Sequence, residues 1–64
     1  MTEKIVYIAS FIDKTKAEIF RETALEKAKE LPYDYFIEED EIKFLNYHWQ
    51  VRILISPKQV EMFH

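Results

Sequence analysis

The stretch from Ile42 to Ile55, IKFLNYHWQVRILI, constrains the fold more than any other part of the chain. From Leu45 onward every second residue is apolar: Leu45, Tyr47, Trp49, Val51, Ile53 and Ile55. Asn46, His48, Gln50 and Arg52 fill the positions between, and Leu54 alone departs from the alternation. Successive side chains of a strand point to opposite faces, so this period of two predicts one long, half-buried strand. Val, Ile, Tyr and Trp also suit a pleated surface. A break at Asn46-Tyr47 is disfavoured, because a tight hairpin there calls for glycine and the chain has none.

The remaining elements are arranged around that strand. Residues 4–12 (KIVYIASFI) are apolar on both alternating sets, Ile5, Tyr7, Ala9, Phe11 and Val6, Ile8, Ser10, Ile12. A strand apolar on both sides is expected to be covered on both. Residues 13–31 read as a helix. Thr15 and Glu18 match a capping box, with Asp13 as a competing cap. Ala17, Phe20, Ala24, Leu25, Ala28 and Leu31 form one stripe at spacings of three and four, and Ile19 falls outside it. Pro32 ends the helix, because it forces Leu31 out of the helical region.

Residues 33–37 (YDYFI) predict a second strand, and Glu38-Glu39-Asp40-Glu41 a hairpin loop into the long one. A three-residue loop at 39–41 pairs Tyr35 with Leu45 and Tyr33 with Tyr47, which keeps one apolar face. A two-residue loop at 39–40 inverts it, since one residue of slip moves every side chain across the sheet. A bulge at Asn46 is the other way to restore the face. Residues 56–64 (SPKQVEMFH) predict a short terminal helix, capped by Ser56 with Pro57 in its first turn.

The expected class is therefore α+β, in the order β-α-β-β with a short C-terminal helix, as one domain over residues 1–64. Placing the long strand in the middle gives a three-stranded sheet of order 1-3-2, a split β-α-β with one main helix on one face. By element order this resembles the first part of a ferredoxin-like fold.

Composition narrows the function. A chain of 64 residues has a marginal core. With no Cys and two distant His, disulfides, metals and bound cofactors are not expected to support it. A partner subunit is the remaining common support. The net charge of −3 argues against a nucleic-acid partner, whose binders are basic. No stretch approaches the roughly 20 apolar residues of a membrane span, so a cytoplasmic protein without a membrane partner is expected.

Two candidate surfaces emerge. One helix covers one sheet face, leaving apolar groups on the other, either Tyr7 and Phe11 or Ile8 and Ile12 from the first strand; Tyr7, Phe11, Phe36, Phe44 and Leu54 are the candidates for binding another protein or a second copy. Residues 6–11 (VYIASF) also resemble the first-strand aromatic motif of RNA-recognition-motif domains, which implies base stacking on the sheet. The second surface is acidic. Glu18, Glu22, Glu26 and Glu30 recur every fourth residue, and Glu38, Glu39, Asp40 and Glu41 follow. Like charges at this spacing do not stabilise a helix, so the repeat suggests a surface for a basic site on another protein. His48 lies in a polar ladder with Asn46, Gln50 and Arg52, but no nucleophile or acid–base pair accompanies it, and no catalysis is expected.

Overall fold

In the computed structural model, which describes residues 3–58, the chain reverses where the long strand was expected to run straight. It forms β1 (Ile5–Phe11), α1 (Lys14–Ala28), β2 (Tyr35–Leu45) and β3 (His48–Pro57). Asn46 and Tyr47 both take positive φ, 54° and 63°, as a two-residue type I′ hairpin turn requires. Asn tolerates this conformation through its short polar side chain, whereas Tyr takes it rarely. The turn thus forms without the glycine that such a geometry favours.

The reversal changes the phase of the core. Phe44 pairs with Trp49 and Ile42 with Val51, so even positions face the core before the turn and odd positions after it. Leu45 and Tyr47 had completed the alternation in the sequence; they belong to the hairpin tip instead. The acidic run is not a loop either. Glu38 to Glu41 lie within β2, and the register slips between Ile37 and Glu39, a bulge that leaves Glu38 as the extra residue. Tyr35 accordingly pairs with Pro57 rather than Leu45.

The sheet has the order β1-β3-β2, with β3 antiparallel to both neighbours, so β1 and β2 run parallel to each other. This is the expected small α+β, split β-α-β arrangement. Strand β3 continues through Ser56 and Pro57, where a terminal helix was expected to start. The backbone N–H of Lys58 donates to the carbonyl of Asp34 at 3.0 Å, extending the ladder by one bond. The rest of that proposed helix, from Gln59 on, lies outside the described residues.

Helix α1 follows from its alanines. Asp13 is the cap; its side chain accepts from the Thr15 backbone N–H at 2.9 Å, so it prevails over the Thr15 box. Ala17, Ala24 and Ala28 are buried, and without bulk they let the helix lie close on Val51, Ile53 and Ile55. Those three β3 residues are fully buried, and burying each contributes about 1.5–3 kcal/mol. Phe20, Leu25 and Leu31 pack around them, and Ile19 is exposed, as the stripe predicts. The helix ends at Ala28, three residues earlier than Pro32 required.

Strand β1 departs from expectation. It is an edge strand covered on one face only: Ile5, Tyr7, Ala9 and Phe11 are half-buried, while Val6, Ile8 and Ser10 are exposed.

Candidate interaction surfaces

The five apolar candidates do not share a face. Tyr7 pairs with Ile53 and Phe11 with Trp49, which puts both on the side covered by α1. Their rings meet Phe20, at centroid distances of 6.5 Å edge-on and 5.5 Å tilted. Phe44 is on the same side but beyond the helix, 5.0 Å from Trp49 and exposed. Phe36 and Leu54 remain on the uncovered face.

The residues that join them there are Val6 and Ile8, from the other alternating set of β1. Val6 pairs with Leu54 and Phe36 with Ser56, so Val6, Leu54 and Phe36 run across all three strands and Ile8 extends the lane along β1. Val6 is 48% exposed, Ile8 63% and Phe36 44%, whereas Leu54, in the central strand, is buried. The alternation within β1 was legible, but which set faced the helix depended on the register with β3. With Tyr7 and Phe11 against Phe20, the aromatics of the VYIASF segment are not presented to a base on the open face.

Charges border this lane in matched pairs. Lys4 Nζ lies 3.2 Å from Glu38, Arg52 Nε 2.7 Å from Glu39, and Lys43 Nζ 3.4 Å from Glu41. Ser56 Oγ also donates to Glu38 at 2.9 Å, and these hydrogen bonds, Ser56 first and Lys4 second, hold the Glu38 carboxyl below its ordinary range. Asp40 points the other way. It accepts two bonds from the Arg21 guanidinium, at 2.6 and 2.5 Å, which lower the Asp40 pKa and raise that of Arg21.

The acidic residues therefore do not form one negative surface. Glu38, Glu39, Asp40 and Glu41 each meet a cation of the chain itself, and they divide between the two sheet faces. On the helix Glu26 contacts Lys29 at 3.3 Å. Glu18 and Glu22 form no ion pair among the described residues, and Glu30 lies just past the helix end. His48 is taken up locally, its Nδ1 at 2.8 Å from the Asn46 carbonyl across the turn. Among the described residues no group of three His, Asp or Glu is placed to hold a metal, and no helix is long and apolar enough to cross a membrane.

In comparison with known proteins, no family model, curated protein or solved structure matches the chain.

Proposed function

We propose that this chain is a protein-interaction module that associates with a second copy of itself through the open sheet face. The observation that carries this is the apolar lane of Val6, Ile8, Leu54 and Phe36 on the sheet face opposite α1. Removing such a lane from water is favourable in proportion to its area. The bordering charges favour a like partner. Lys4, Lys43 and Arg52 stand beside Glu38, Glu39 and Glu41, three cations with three acids. A two-fold axis through such a face lets each cation of one copy meet an acid of the other. A strongly basic partner would gain little from a face already neutral. An inhibitor of a basic site would rely on Glu18, Glu22 and Glu30 alone, a weaker basis. The edge of the long strand does not serve, because β3 is paired on both sides.

Sedimentation equilibrium over a wide range of protein concentration tests this. The expected result is a reversible dimer that Ile8→Lys dissociates and that moderate salt weakens only slightly. A monomer at every concentration overturns the proposal.

A further inference from the structure

The two residues that made the sequence read as one continuous strand, Leu45 and Tyr47, lie at the end of the β2–β3 hairpin, and both are exposed. They are not alone there. Ile12, one residue past the Phe11–Trp49 pair, is 80% exposed, Tyr47 86% and Phe44 55%. Four of the nine large apolar residues exposed in the described chain thus gather at one end of the sheet, away from the lane proposed to dimerise. Phe44 packs on Trp49, but Ile12, Leu45 and Tyr47 lie outside the buried core under α1.

Charge at this end is opposite to that of the body. The segments 11–16 and 43–49 carry Lys14, Lys16 and Lys43; Asp13 is spent on the helix cap and Glu41 pairs with Lys43 at 3.4 Å, which leaves Lys14 and Lys16 as the cations of this end without an ion pair among the described residues. The rest of the chain has six cations and eleven acids. Lys14 Nζ sits 5.1 Å from the centre of the Trp49 ring, which joins the basic collar to the aromatic cluster. Aromatic and aliphatic side chains at a tip, ringed by lysines, match the boundary of an anionic bilayer: rings and Leu or Ile enter the headgroup region, and ammonium groups meet the lipid charge. The turn adds a third observation. Tyr47 holds a positive φ where Gly would hold it without strain, so the sequence presents an exposed ring at a conformational cost.

We infer that the Asn46–Tyr47 hairpin tip docks on anionic membrane surfaces, inserting Tyr47, Leu45 and Phe44 with Ile12 beside them while Lys14 and Lys16 contact the headgroups. The lack of a membrane-crossing helix bears on spanning and not on docking of this kind. The acidic body is then repelled from the surface, so only the tip approaches.

Trp49 is the single tryptophan and lies against Phe44, so its emission reports on the tip. The test mixes the chain with vesicles of phosphatidylcholine alone or with added phosphatidylserine, and follows co-sedimentation and Trp49 emission. The expected result is binding that grows with phosphatidylserine content, falls with salt, and shifts the emission to shorter wavelength. Lys16→Gln should weaken binding roughly fivefold. Tyr47→Gly should weaken it about tenfold and leave thermal stability unchanged or higher, because Asn-Gly is the favoured type I′ pair. That separates lost docking from lost folding. Ile8→Lys, which tests the dimer, should leave vesicle binding in place. Failure to bind phosphatidylserine vesicles overturns the inference. So does binding that Tyr47→Gly does not reduce, or a shift of Trp49 emission with protein concentration in the absence of lipid, which would mean that another copy covers the tip.

Discussion

The two faces of the sheet share one backbone and nearly one alternation, yet they end in opposite conditions. On one, Val51, Ile53 and Ile55 are sealed under three alanines of α1. On the other, Val6, Ile8 and Phe36 stand beside ion pairs in solvent. The apolar character of the side chains does not distinguish the faces; the presence of a helix does. Among the described residues, one helix of 15 residues covers one side of three strands and leaves the same kind of surface open on the other. In so small a protein, the apolar surface left open is large relative to the core, which is why association is a natural use for it.

The sharpest way to break the covered face is Ile53→Ala. Ile53 is fully buried at the centre of β3, paired with Tyr7 and Asp40 and packed under the helix. The lost contacts and the cavity should cost about 2–5 kcal/mol. Denaturant melting measures it, and a chain of this size is expected to lose most of its folded population. Next in size is Ala24→Leu. Ala24 is buried where α1 approaches the sheet, so added bulk lifts the helix at a cost of about 1–3 kcal/mol. Near-neutral effects at both sites would mean that the helix does not seal this face in solution.

Much of this contrast was legible in the sequence. The alanine stripe, the crossover helix and the central place of residues 49–55 followed from periodicity and connection rules. The hairpin was not legible, for two physical reasons. Leu45 and Tyr47 happen to keep the alternation across a turn that reverses it, so pattern alone counted them as strand. The acidic run 38–41 carries turn-like residues with no Gly or Pro, and what holds it extended is its ladder with β3, joined by ion pairs to Arg52, Arg21 and Lys4 from outside the strand. Such partners become visible only in three dimensions. The candidate face failed in the same place: one unknown register decided whether Tyr7 or Val6 was exposed.

Asp40 sharpens the comparison from the boundary. It stands on the covered face, at the position opposite Ile53, and is kept charged by Arg21. Its carboxyl titrates below the ordinary range, as does that of Glu38 on the open face. In both cases the folded chain binds fewer protons than the unfolded one in the window between the depressed and ordinary carboxyl values. Stability is therefore present above that window and lost as the pH falls through it. Asp40→Asn should cost less than about 1 kcal/mol at neutral pH, since the pair is partly in solvent. It should also flatten part of the acid limb, and Glu38→Gln should flatten it further. An acid limb of unchanged slope in the double variant would show that these carboxylates do not couple to folding.

The smallest expected effect on stability comes from Ile8→Thr on the open face, and it is the most informative about function. Ile8 is paired with Arg52 and extends into solvent, so the folded monomer gives up little contact when its side chain is trimmed. Thr keeps the β-branch that suits a strand. The change in monomer stability should stay within about 0.5 kcal/mol. If the open face docks a second copy, the same substitution must raise the dimer dissociation constant, because in the dimer Ile8 is buried as Ile53 is in the monomer. The two faces then become equivalent in kind, one sealed by the chain's own helix and the other by its twin. A dissociation constant unmoved by Ile8→Thr and by Val6→Thr would leave the open face without a role in association.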